Sequence, residues 1–222
     1  MRLPARAALC ALALAASPAC MPKTVTPMRT VHDAASGARS RTLVVFLPGR
    51  SDRAEEFVRE GFAEAVRARS IPVDLVFADA TLGYYVESSV LTRLHDDVVA
   101  PARAAGYERI VLAGISLGGL GAVLYAHEHP ADVDELILLA PYLENPGLAP
   151  PRVVADAISA RTAWLGYGSD DRLRPSLDPI AATMPSSRVV VLPGSHRWKT
   201  WRAVWKAMLD AGALRPAGPH GC

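Results

Sequence analysis

Residues 109–121 read Arg109-Ile110-Val111-Leu112-Ala113-Gly114-Ile115-Ser116-Leu117-Gly118-Gly119-Leu120-Gly121. Ile110 to Ala113 form a β-branched and aliphatic run of the kind found in a strand buried on both faces. The run stops at a glycine, a serine follows, and more glycines lead into a stretch with helical character. G-x-S-x-G between a strand and a helix places Ser116 on a very sharp turn. Gly114 and Gly118, two residues to either side, must pass so close that a Cβ on either would collide. The turn lifts the serine hydroxyl above the strand ends. The helix behind it points its free N–H groups at whatever the serine attacks. Taken alone, the five residues also suit an ordinary βα turn with serine as helix N-cap, so their meaning rests on the rest of the chain.

The same alternation recurs on both sides. Continuous apolar runs at 42–47, 73–77, 136–139, 163–167 and 189–192 predict five further buried strands. Helical patterns separate them. One follows Ser51 or Asp52, either of which can cap it, and carries Phe57, Phe62, Ala65 and Val66 on one face. A second spans 87–105, with Pro101 expected to bend it. Others are expected over 117–129, 153–160, 177–184 and 200–211, with loops at 79–85 and 143–151. Trp198, Trp201 and Trp205 have the spacing of a core stripe on the last helix. About six strands alternating with helices predict an α/β fold, a mainly parallel sheet with helices on both faces.

The chain has 222 residues and a formal net charge of +2. One globular domain over 42–214 is expected, with enough chain for a well-buried core. The charge is too small and too scattered for a nucleic-acid partner. The N-terminus departs from the rest. Arg2 and Arg6 precede an apolar stretch over 7–16, then Ser17-Pro18-Ala19-Cys20. This is the layout of a signal peptide over 1–19, and it predicts an exported protein. Cys20 resembles the lipidated first residue of a bacterial lipoprotein, although Ser17 and Pro18 replace the usual aliphatic and small residues. Ordinary cleavage near Ala19 is the other reading. Residues 20–41 would then be a polar tether holding at most one weak edge strand, and 215–222 a loose tail. Cys10, Cys20 and Cys222 show no metal-binding spacing.

In an open parallel sheet ligands bind at the carboxyl ends of the strands. Ser116 follows one strand, Asp170 and Asp171 follow another, and His196 follows the last. A serine is a weak nucleophile unless a base takes its proton, and histidine exchanges a proton readily near neutral pH. A carboxylate on the far ring nitrogen holds the imidazole in the correct tautomer. Of the six histidines, His32 and His220 fall in terminal segments, His95 in a helix, and His127 and His129 at a helix end. Only His196 follows a strand within a Gly/Ser turn. Leu117, directly after the nucleophile, would supply one N–H for a developing oxyanion.

At these residues the chain resembles the α/β-hydrolase superfamily, and it does so over about 42–210. Ser, Asp and His occur in that family's chain order. Gly168-Ser169-Asp170-Asp171 resembles its G-x-x-D loop, which assigns the acid to Asp171, with Asp170 as the rival. Gly194-Ser195-His196-Arg197-Trp198 resembles its histidine loop. Leu47-Pro48-Gly49-Arg50 stands where many relatives carry His-Gly, and the resemblance gives the second oxyanion donor as the backbone N–H of Arg50. It implies a small, lidless member of the family, a serine esterase of the carboxylesterase kind. Such a protein would need no cofactor or metal, act as a monomer on a small-molecule ester, and bind substrate near Tyr84, Tyr85, Tyr142 and Leu143. Acyl transfer, thioester or amide cleavage on the same residues is one alternative. A non-catalytic, lipid-tethered binding protein is another.

Overall fold

The computed structural model describes residues 24–35 and 40–215. The expected signal peptide, Cys10, Cys20, His220 and Cys222 lie outside the described residues, as do parts of the tether and tail. Among the described residues, seven strands form one sheet in the order β1-β3-β2-β4-β5-β6-β7. They are β1 (Thr30–Asp33), β2 (Thr42–Leu47), β3 (Asp74–Ala78), β4 (Arg109–Ile115), β5 (Glu135–Leu139), β6 (Thr162–Gly168) and β7 (Val189–Leu192). The weak edge strand is β1, which pairs antiparallel with β3; all other pairings are parallel. The interior strands β2, β4, β5 and β6 are buried almost throughout, whereas β7, at the far edge, is half-buried or exposed at every residue. Strand order reverses between β2 and β4, which puts the crevice above the sheet at that point.

The helices are α1 (Ala54–Arg59), α2 (Phe62–Arg67), α3 (Leu82–Val86), α4 (Val90–Leu94), α5 (Ala100–Ala104), α6 (Leu117–Glu128), α7 (Pro151–Ser159), α8 (Arg174–Ala181) and α9 (Trp198–Ala211). On one face α1, α2 and α9 pack together, α1 against β3 and α9 against β6 and β7. Phe46, Phe57, Phe62, Phe77 and Trp205 interlock there through edge-on and stacked contacts. On the other face α6 lies over β2, β4 and β5, flanked by α4 and α7. The helix is apolar all round because both sides of it are covered, and its residues from Leu117 to Ala126 are all buried.

Four local expectations differ. The first helix is two, because Gly61 at φ 74° turns the chain in the left-handed region between α1 and α2. Neither Ser51 nor Asp52 caps α1. The Ala54 N–H donates instead to Asp79 Oδ1 at 3.2 Å, and Glu56 accepts from the Arg53 N–H at 2.9 Å. Within the expected 79–85 loop the chain forms α3. The single helix expected over 87–105 is interrupted: a π-helical turn, His95–Val99, joins α4 to α5 immediately before Pro101. Proline has no N–H for the usual i−4 carbonyl, and the wider turn absorbs the mismatch.

Candidate active site

Ser116 sits between β4 and α6 at φ 51°, ψ −113°, a conformation that ordinary side chains avoid. Holding it there costs about 1–3 kcal/mol, which the surroundings must over-determine. They do so through the backbone. The Ser116 N–H donates to Leu139 O at 3.0 Å, and its carbonyl accepts from Gly119, Leu120 and Tyr142 at 3.0, 3.2 and 2.9 Å. The close approach expected at the glycines is present. A Cβ on Gly114 would lie 2.3 Å from Gly118 O, and one on Gly118 would lie 2.1 Å from Leu47 O. The start of α6 is therefore seated directly on the end of β2.

His196 lies over the serine, with Nε2 3.0 Å from Ser116 Oγ. Its Nδ1 is 3.0 and 2.9 Å from the two Asp171 oxygens. The Asp171 side chain is wholly buried, and Oδ1 also accepts from the Leu173 N–H at 2.9 Å. Asp170 is exposed, and its N–H donates to Gly194 O at 2.9 Å. The two adjacent aspartates thus have different tasks: Asp171 faces the imidazole, and Asp170 ties the acid loop to the histidine loop. Those loops touch backbone to backbone, since a Cβ on Gly168 would fall 2.0 Å from Gly194 O. The edge of Trp201 packs against the His196 ring at 87°, centroids 4.9 Å apart. Sequence reading placed Trp201 in the core stripe. It is buried there, yet it also backs the histidine, a contact that its helical spacing gave no sign of.

Beside the serine, Leu117 opens α6, where the first N–H groups have no intrahelical acceptor. The loop carrying Arg50 runs alongside, because a Cβ on Gly49 would lie 3.9 Å from Ser116 Cβ. Asp52 anchors this loop to α9: its Oδ1 accepts from Trp198 Nε1 at 3.1 Å, and its N–H donates to Gly49 O at 3.2 Å. Burial pushes the Asp52 carboxyl above its ordinary value, against the lowering effect of the Trp198 bond. The Asp52–Trp198 contact spans most of the chain and has no local signal.

The expected substrate-binding tyrosines separate. Tyr84 and Tyr85 face the interior and do not form a rim. The Tyr84 hydroxyl donates to Val25 O at 2.7 Å and accepts from Val25 N–H at 3.1 Å, which pins the N-terminal segment. Tyr85 is fully buried against α6, so close that a Cβ on Gly121 would lie 2.3 Å from its oxygen. Both were expected in a surface loop, but the formation of α3 turns them inward. Tyr142, half-buried, is beside the nucleophile through its N–H to Ser116 O. Leu143 is buried at one end of an apolar groove of about 640 Å³ between α7 and α8, lined by Val154, Ile158, Ile180 and Met184. No triad side chain lines that groove.

The open, mainly parallel sheet with a serine elbow at its strand-order reversal is the fold of the α/β-hydrolase superfamily. A family model described as Serine aminopeptidase, S33 (Hydrolase_4) matches residues 85–183, which include Ser116 and Asp171 and end before His196. Solved structures similar to this chain include a hydrolase described as CIB-like from Thermoplasma acidophilum, at 18% identity, TM-score 0.63, over 86% of this chain and 95% of that one. Est1E from Butyrivibrio proteoclasticus is similar at 19% identity and TM-score 0.61, over 83% of this chain and 94% of that one. An S-formylglutathione hydrolase from Staphylococcus aureus is similar at 15% identity and TM-score 0.57, over 77% of this chain and 80% of that one. A comparison with curated proteins gives no match.

Proposed function

We infer that this protein is a serine hydrolase that cleaves a small carboxylic ester through an acyl-enzyme. The observation that carries the reading is the unbroken array from Asp171 through His196 to Ser116 Oγ, with the serine on its strained elbow. His196 Nε2 takes the hydroxyl proton as Oγ attacks the substrate carbonyl. Asp171 holds Nδ1–H and stabilises the imidazolium. The Leu117 and Arg50 N–H groups receive the oxyanion. As the tetrahedral intermediate collapses, the imidazolium gives its proton to the departing alcohol. Water then repeats the sequence on the acyl group, with His196 as base, and releases the acid and the free serine. Several structural neighbours carry esterase or hydrolase names, and Est1E has been solved with ferulic acid bound. The serine aminopeptidase match gives amide cleavage a place as the second reading.

A fluorophosphonate probe and a panel of soluble esters test this. The probe should label Ser116 once per chain, and acetyl to hexanoyl esters should turn over faster than long-chain ones. With α7 following a short loop and no inserted lid among the described residues, activity should rise smoothly with substrate. A sharp rise at an oil–water interface, or peptide turnover exceeding ester turnover, would contradict it.

The signal-peptide layout of residues 1–19 and the position of Cys20 support a protein outside the cytoplasm, tethered to a membrane through Cys20. Mass spectrometry of the mature protein should find Cys20 as a lipidated N-terminus. Because one acyl chain anchors weakly, the processed protein should carry more than one and stay with membranes through a salt wash. An unmodified N-terminus would exclude the tether.

A further inference from the structure

At the opposite end of α6 from Ser116, about 18 Å along a twelve-residue helix, three side chains from different segments converge. His95 comes from the π turn, His129 from the residue that closes α6, and Asp132 from the loop feeding β5. Each offers one ligand atom, and these atoms lie within 4.8 Å of one another. His95 Nδ1 is 3.4 Å and His129 Nδ1 is 3.8 Å from the same oxygen, Asp132 Oδ2. A tetrahedral ion bound at about 2.0–2.1 Å holds its ligand atoms about 3.3–3.4 Å apart. Two edges of a coordination polyhedron are therefore nearly formed without the ion.

We propose that His95, His129 and Asp132 form a binding site for a divalent transition-metal ion of the Zn²⁺ class, separate from the serine site. Two imidazoles and one carboxylate suit such an ion and do not suit Mg²⁺ or Ca²⁺, which take oxygen ligands. The three side chains are 36%, 28% and 26% exposed, enough for entry and for a water in the fourth position. The rings stack side by side, centroids 4.8 Å apart at 12°, and one of them must turn on binding so that both ring planes meet at the ion. Tyr125, one turn before His129, orients the carboxylate: its O–H donates to Asp132 Oδ2 at 3.0 Å and its oxygen lies 3.0 Å from His95 Nδ1. Burial and the facing Asp132 carboxylate keep Tyr125 protonated and hence a donor. On binding, the His95 proton resides on Nε2 and Nδ1 turns from Tyr125 to the ion. Tyr125 keeps its bond to Asp132, as outer partners of metal ligands commonly do. The π turn moves His95 out of the register of a regular helix, so the fold departs from regularity where the site is built. The bound ion would clip the π turn, the end of α6 and the approach to β5 together.

Tag-free, metal-stripped full-length protein is titrated calorimetrically with ZnCl₂ and with MgCl₂, and its melting is followed in parallel. One Zn²⁺ per chain should bind with micromolar or tighter Kd. Saturation should raise Tm by about 5 °C or more, while Mg²⁺ does neither. Binding should weaken in acid, because protons compete with the ion for the ligand nitrogens. The His95→Ala/His129→Ala pair should lose at least about a hundredfold in affinity, and Asp132→Asn, which still accepts from Tyr125, at least about tenfold. Substitution of the exposed His127 by alanine should change nothing. Co²⁺ should give the visible absorption of a tetrahedral site in the wild type and not in Asp132→Asn. Wild-type Zn²⁺ binding weaker than about 100 μM overturns the proposal, as does unchanged affinity in the double substitution or in Asp132→Asn, or loss of binding with His127→Ala.

Discussion

Replacing Ser116 by alanine is expected to lower kcat by about five to six powers of ten, the scale on which nucleophiles of this kind act. The overall fold should survive, because the groups that hold residue 116 are backbone donors and acceptors of Leu139, Gly119, Leu120 and Tyr142. Alanine inherits the φ of 51° and its strain, whereas glycine relieves it. Ser116→Gly should therefore be equally inactive but more stable than Ser116→Ala by about 1 kcal/mol. Ester turnover, probe labelling and thermal melting of the three proteins check this. More than about one percent residual kcat in either variant would remove Ser116 from the chemistry.

The second large effect separates two neighbours. Asp171→Asn should cost about three to four powers of ten in kcat, because an amide in place of the carboxylate favours the wrong imidazole tautomer. The serine should remain accessible and the fold intact. Asp170→Asn should leave kcat within a fewfold, since its side chain is exposed and its contribution to the loop is a backbone N–H to Gly194. Both variants are assayed on one soluble ester near neutral pH after a check of secondary structure. A dead Asp170→Asn beside a near-normal Asp171→Asn would transfer the role to the other aspartate.

The parallel strands could be read in the sequence because a strand covered on both faces needs an unbroken apolar run; five of the six runs are buried strands, whereas 189–192, expected to be buried, is the half-exposed edge strand β7. β1 left a faint trace: it lies at the edge of the sheet, and Val31 is the one apolar residue of TVHD. The elbow was legible because a close backbone approach admits only glycine, at Gly114 and Gly118. The loop order of serine, aspartate and histidine could be read for the same topological reason. Other features depend on contacts between distant residues, and no local pattern encodes them. Asp79 caps α1 from 25 positions away. Trp198 reaches Asp52 across 146 positions. Tyr84 and Tyr85 looked like loop aromatics, and only the turn of α3 sends them inward. His95, His129 and Asp132 have no recognisable ligand spacing because a π turn and a helix end bring them together.

The three members of the hydrogen-bonded array do not rest on equally secure ground. Ser116 follows β4, a strand with neighbours on both sides and no exposed residue. His196 follows β7, which has four residues, a single pairing partner among the described residues, and Val191 exposed to solvent. In hydrogen exchange, amides of β4 should open only with global unfolding, whereas those of β7 should open by local fraying at much lower free energy. Each fraying event carries the imidazole away from a serine that is still in place. Along a urea titration, ester hydrolysis should therefore decline at lower denaturant than the far-ultraviolet circular dichroism, and coincident curves would show that the edge opens only with the rest of the sheet.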